Sequence, residues 1–170
     1  TYKTMIDQAD FSGYVQNGAP YVTALNVNII RLADVYLMAA EAALDTDLDY
    51  ALARVNDVRV RASKIPNKEV NGVPVANYKV EPYPSFPNRE YAMKAIQFER
   101  RLELALEGHR FFDLVRWGIA KQELESYSQF EGQFLDLNKG ITFEERNTYF
   151  PIPQAQIDRS GGSLTQNPGY

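Results

Sequence analysis

Residues 99–118, ERRLELALEGHRFFDLVRWG, constrain the fold of this chain more than any other stretch. Glu99, Glu103 and Glu107 stand at i, i+4 and i+8, so on a continuous helix they share one face. Like charges at that spacing disfavour a helix by about 0.2–0.5 kcal/mol per pair. The helix therefore needs cations. Arginine suits the task, because its planar fork meets a carboxylate with two parallel hydrogen bonds. Arg100, Arg101, Arg110 and Arg116 are close in sequence; Arg31, Arg54, Arg59 and Arg61 are remote and have to be brought in by packing. The stretch predicts helix packed against helix, with ion pairs between them.

Hydrophobic spacing supplies the partner helices. Ile29, Ala33, Tyr36 or Leu37, Ala40 and Leu44 recur at i, i+3, i+4, which predicts a helix from about Asn28. Asp45, Asp47 and Asp49 break it, and Asp47 is placed to cap a second helix carrying Leu48, Ala51, Leu52, Val55 and Val58 to about Ala62. A short link between two such helices predicts an antiparallel hairpin. Residues 63–90 then hold Pro66, Pro74, Pro82, Pro84 and Pro87, so they read as a long loop. Within it Val70-Asn71-Gly72-Val73 is a two-residue hairpin turn. Asn88 caps a third helix, whose apolar stripe reads Tyr91, Ala95, Phe98, Leu102 and Leu106, with Gly108 as its left-handed C-cap. A short fourth helix carries Phe111, Phe112, Leu114, Val115 and Trp117, and residues 119–130 extend it or add another. A short strand is expected near Tyr149-Phe150, and residues 151–170 read as a turn-rich cap. The fold class is all-α: tetratricopeptide-like helical hairpins with long irregular loops and at most a short β-hairpin. Residues 1–170 read as one domain, with 1–27 an irregular lead-in.

Composition closes off several functions. The net charge of −4 leaves no basic excess for phosphate neutralisation, which argues against nucleic acid. No apolar run approaches the roughly 20 residues of a membrane-spanning helix. With no cysteine and a single histidine, His109, the chain lacks the usual ligands of a zinc or iron centre and any cysteine nucleophile. Gly161-Gly162 has no Lys-Ser/Thr after it, so it is no phosphate loop, and no Gly-x-Ser-x-Gly elbow is present. Nothing calls for a metal or a cofactor.

Two sets of residues could still act on a ligand. A pair of carboxylates about 5–10 Å apart can cleave a glycosidic bond. The arginines around Glu99, Glu103 and Glu107 oppose that, since cations favour the ionised carboxylate over a proton donor. The stronger reading is a structural charge network of Glu41, Glu99, Glu103, Glu107, Asp113, Arg59, Arg110 and Arg116. In it Glu41, set in Ala-Ala-Glu-Ala-Ala, is half-buried and pairs with Arg59 or Arg110, and Asp113 pairs with Arg110 or Arg116. His109, beside a helix end, reads as structural. The second set is aromatic, drawn from eleven tyrosines and nine phenylalanines. Rings on loops stack on apolar sugar faces or on peptides, and Tyr78, Tyr83 and Phe86 in the proline-rich loop are the ligand-binding candidates. Packing of those rings onto the helices is the competing reading.

Four segments together resemble the SusD/RagB family of outer-membrane nutrient-binding lipoproteins: IIRLADVYLMAAEAAL at 29–44, ALARVNDVRVRA at 51–62, residues 99–118, and YFPIPQAQIDRSGGSLTQNPGY at 149–170. Asp34 stands where that family commonly has Glu, and Arg159-Ser160-Gly161-Gly162 replaces a more usual Asn-containing link. The resemblance implies tetratricopeptide-like helix pairs and a binder rather than an enzyme. It implies a surface lipoprotein of the outer membrane that passes oligosaccharide, or in some members peptide, to a SusC-like TonB-dependent transporter. It further implies that these residues are the C-terminal part of a protein about three times longer, whose N-terminal part carries the signal peptide and lipid anchor. In this reading the motif residues are scaffold, and ligand contacts belong to the loops.

Overall fold

The computed structural model describes residues 29–136 and 139–170. The expected lead-in over 1–27 lies outside these residues. The described residues fall into two compact units, the first ending at Gly108 and the second beginning at His109.

In the first unit, α1 (Leu32–Ala42) and α2 (Leu48–Ser63) form a tetratricopeptide-like hairpin, and α3 (Arg89–Glu103) packs on both. Asp47 caps α2 by accepting the Tyr50 amide at 2.8 Å, and Asn88 caps α3 by accepting the Tyr91 amide at 2.8 Å. The core interleaves Ala33, Leu37 and Ala40 of α1 with Ala51, Val55 and Val58 of α2 and Ala92, Ala95 and Ile96 of α3. α1 begins at Leu32, later than its pattern suggests, and Ile29 and Ile30 are exposed. Between α2 and α3, β1 (Glu69–Val70) pairs antiparallel with β2 (Val73–Pro74). Asn71 (φ 53°) and Gly72 (φ 76°) form its turn, the left-handed pair a two-residue hairpin requires.

The buried face of α3 is not the stripe expected from the sequence. Ala92, Ala95, Ile96, Glu99 and Arg100 face inward, while Phe98, Leu102 and Leu106 are about half exposed or more. Small alanines let α3 approach the hairpin closely, and its inward charges meet partners there. Gly108 is not the C-cap either. α3 ends at Glu103, whose carbonyl accepts Arg31 Nη2 at 2.5 Å, so a side chain from the start of α1 satisfies it instead of a further helical turn. Residues 104–108 are a turn, with Leu106 (φ 67°) and Gly108 (φ 84°) both left-handed.

In the second unit, α4 (Arg110–Arg116) and α5 (Ala120–Glu131) are separated by a left-handed Gly118. A 3-10 turn over Glu145–Thr148 and a short α6 (Gln154–Arg159) follow. The expected strand at Tyr149-Phe150 does not form. Its backbone groups are satisfied by the chain end instead: the Phe150 carbonyl accepts Asn167 Nδ2 at 2.7 Å and the Tyr149 carbonyl accepts the Tyr170 hydroxyl at 2.9 Å. Gln166 exchanges hydrogen bonds of 2.8 and 2.9 Å with the Ile152 backbone. Arg146 donates to the Gly169 carbonyl at 3.1 Å, and a Cβ on Gly169 would sit 2.8 Å from Arg146 Cβ. The closing Gln166-Asn167-Pro168-Gly169-Tyr170 thus acts as a set of backbone mimics that staple an extended segment without a β ladder.

Candidate functional site

Two clusters in the first unit account for most of the residues the sequence singles out. The first is the charge network. Glu103 Oε1 accepts Arg31 Nη1 at 2.5 Å and Arg61 Nη2 at 2.6 Å. Arg31 Nε donates to Glu107 Oε2 at 2.7 Å, so Glu107 joins the network although it has left the helix. Hydrogen bonds donated to Glu107 and to Glu103 push the Arg31 pKa above its already high ordinary value, against an opposing loss from burial. Arg59 donates to Glu99 Oε1 and to the Glu81 carbonyl, the latter at 2.6 Å. Glu99, Glu103 and Glu107 are therefore engaged by arginines at the start of α1 and on α2. Arg54 does not reach across: it pairs with Asp57 at 3.0 Å and lies 5.2 Å over the rings of Tyr36 and Tyr50. Glu41 is half-buried on α1.

A deeply buried pair is one that sequence spacing does not single out. Arg100 Nη1 donates to Asp34 Oδ1 at 2.8 Å, with side-chain exposures of only 4% and 5%. Its partners are 66 residues apart. The only sequence signal is Asp34 itself, a carboxylate on the apolar face of an otherwise hydrophobic helix.

In the second unit Arg116 pairs with Asp113 at 2.9 Å and Arg110 with Glu123 at 3.3 Å. Both pairs join α4 to itself or to α5. His109 precedes α4 and gives it no side-chain cap.

The second cluster is the aromatic loop, where the structure separates the three candidates. Phe86 is 8% exposed and belongs to the hydrophobic core, so it has no free face for a ligand. Tyr83 packs on that core too. Its backbone is held by Asn56, which accepts the Tyr83 amide at 2.8 Å and donates to its carbonyl at 2.9 Å. Its hydroxyl donates to Glu99 at 3.3 Å, and Arg59 lies 4.5 Å over its ring. Burial, then the Glu99 charge, raise the Tyr83 phenol above its usual pKa. Tyr83 and Phe86 (rings 5.7 Å apart) thus tie the loop to the helices, the packing role that the sequence sets against ligand contact.

Tyr78 is different: it is 66% exposed. It borders a cleft of about 310 Å³ formed with the end of α2 and the residues after it, Ser63, Lys64, Ile65, Pro66 and Asn67. That volume lies at the lower end of the range of ligand pockets, about 300–1,000 Å³.

Comparisons with known proteins follow the same lines. The SusD family model matches residues 2–170. A SusD-like protein of Formosa agariphila is 31% identical over 148 residues, which is 85% of this chain and 24% of that protein. Two crystal structures share the fold. A SusD homolog from Bacteroides thetaiotaomicron superimposes with a TM-score of 0.69 at 28% identity, over 95% of this chain and 31% of that one. A SusD superfamily protein from Bacteroides vulgatus gives 0.63 at 27% identity, over 89% and 29%. The chain thus spans about a quarter to a third of the length of these relatives. With the helical hairpin, the buried charge network and a family match over nearly its whole length, this chain belongs to the SusD family.

Proposed function

We propose that this chain is part of a non-catalytic nutrient-binding protein that captures glycan at the bacterial outer-membrane surface. The family match over residues 2–170 carries this reading. The arginine pairing of Glu99, Glu103 and Glu107 supports the non-catalytic part, because those carboxylates serve to join helices. In the intact protein a lipid anchor N-terminal to these residues holds it to the outer membrane, and bound oligosaccharide passes to a SusC-like TonB-dependent transporter. The test is affinity electrophoresis through gels containing starch, xylan, laminarin, polygalacturonate or alginate, with product analysis after long incubation. Retardation by at least one polysaccharide without new reducing ends is the expected result. Hydrolysis that disappears on Glu103→Gln would overturn it.

A second reading, a helical module that binds peptide or the transporter, draws on the apolar outer face of α1. Leu32, Val35 and Met38 are exposed there, and a cleft of about 250 Å³ between α1 and α2 adjoins it at Leu32 and Tyr36. Retention on immobilised peptides or transporter, with no retardation by any polysaccharide, would favour it.

A further inference from the structure

The geometry points to the Tyr78 cleft as a subsite for an acidic sugar, one carrying a carboxylate or a sulfate. This rests on the glycan-binding reading above and adds to it a place and a charge preference. Many polar side chains of the first unit are engaged by ion pairs or by backbone, and of those that are not, three converge on one cleft. Among the described residues, the Lys64 ammonium, the Asn67 carboxamide and the Tyr78 hydroxyl have no hydrogen-bond or ion-pair partner, yet all three border the same cavity. Between them they offer a cation, a paired donor and acceptor, and a hydroxyl on an exposed ring. An exposed tyrosine face with convergent polar groups is suited to a pyranose, which has an apolar face and an equatorial rim of hydroxyls.

Charge selects among sugars. Among the described residues, Lys64 is the only ionised side chain lining the cleft, and no carboxylate lines it. It is the C-cap of the 16-residue α2, where the negative end of the helix dipole favours a cation without a paired acid. A ligand carboxylate or sulfate would meet this ammonium and no opposing anion among the described lining residues, forming a charge-assisted hydrogen bond. The Ser63 hydroxyl donates to the Val60 carbonyl at 2.9 Å, so its oxygen lone pairs remain as acceptors for sugar hydroxyls.

Titration calorimetry with trigalacturonate, a sulfated galactose trisaccharide and maltotriose tests this. At least one acidic probe should bind about tenfold tighter than maltotriose, the effect of one hydrogen bond to a charged group; which one binds identifies the acid. Lys64→Met should abolish that preference and Lys64→Arg should keep it. Tyr78→Ala should weaken all binding about tenfold, as removal of a contact tyrosine does. Both side chains are exposed, so melting curves should match the wild type. Maltotriose binding as tightly as either acid, or acid binding unchanged by Lys64→Met and Tyr78→Ala, would overturn the subsite. If the gels retain the protein but none of the three probes binds, the subsite fails and the glycan reading stands. Failure of every polysaccharide to retain it removes both.

Discussion

Removing Asp34 should destabilise the first unit far more than removing any exposed carboxylate. The Arg100–Asp34 pair is almost fully withdrawn from water, with exposures of 4% and 5%, and closes at 2.8 Å. Breaking a buried pair takes a close counter-charge away from a cation held in a low-dielectric interior, at a cost of about 3–5 kcal/mol. For a domain of 60–100 residues each kcal/mol moves the melting midpoint by about 4–8 °C, so Asp34→Ala should lower it by at least about 12 °C. That is a large share of the roughly 5–15 kcal/mol by which domains are stable. Arg89–Asp45 is a matched control: it is shorter, at 2.5 Å, but its side chains are 59% and 71% exposed. Asp45→Ala should leave the midpoint almost unchanged, because water already screens that pair. Circular dichroism melts and urea titrations of both variants measure the contrast. The double variant Asp34→Leu, Arg100→Met removes both charges and should recover most of the loss, since an apolar pair of similar volume needs no desolvation of charge. If Asp34→Ala melts with Asp45→Ala, or the double variant is no better than the single, then burial of charge is not what makes this pair matter.

Four further outcomes follow from the same structure. Phe86→Ala should lose about 3–5 kcal/mol in urea unfolding as a core truncation, while Tyr78→Ala should be neutral there. Equal effects would undo the division between scaffold and ligand-facing rings. Asp47→Ala and Asn88→Ala should each lower unfolding free energy by about 1 kcal/mol through loss of a helix cap, and Asp49→Ala, which keeps the cap and loses only a first-turn charge, should lower it less. The raised Tyr83 pKa predicts a loss of stability at high pH. The folded state holds the phenol proton more tightly than the unfolded chain, so stability from this group is complete below about pH 10 and falls as pH rises through that value toward the folded pKa. Between pH 9 and 11 the wild type should therefore lose stability more steeply than Tyr83→Phe, and parallel slopes would contradict the assignment. Gly169→Ala should loosen the chain end, because its Cβ would meet Arg146 at 2.8 Å at a left-handed φ of 90°; proteolysis of the C-terminal residues should then speed up.

The division between what was legible in the sequence and what was not is clearest on α3. Residues 88–103 contain two apolar rows about one position apart. One runs Tyr91, Ala95, Phe98, Leu102 and is made of large side chains; the other runs Ala92, Ala95, Ile96 and ends in Glu99 and Arg100. By hydrophobicity the first is the better core face, and the structure buries the second. Periodicity fixes that a helix exists and how its faces repeat, but which face turns inward depends on the surface it meets. Here that surface offers Asp34 to Arg100 and Arg59 to Glu99, and narrow alanines allow the approach. The same limit applied to Tyr78, Tyr83 and Phe86. All three are aromatic and lie in the same loop, and only the packing of Asn56, Arg59 and the core against two of them left Tyr78 exposed.

The sequence by itself determined the local events: the caps at Asp47 and Asn88, the Asn71-Gly72 turn, the α1–α2 hairpin and the family signature. The caps and the turn depend on hydrogen bonds and steric limits within a few residues, and the hairpin and the signature on patterns carried along the chain, so none needs a distant partner to be read. Tertiary structure decided the rest: the Asp34–Arg100 pair across 66 residues, the guanidinium that ends α3, the Gln166–Ile152 staple in place of a strand, and which ring faces water. These are matches between distant surfaces. Their energies depend on burial and on partner geometry, which exist only once the helices have packed.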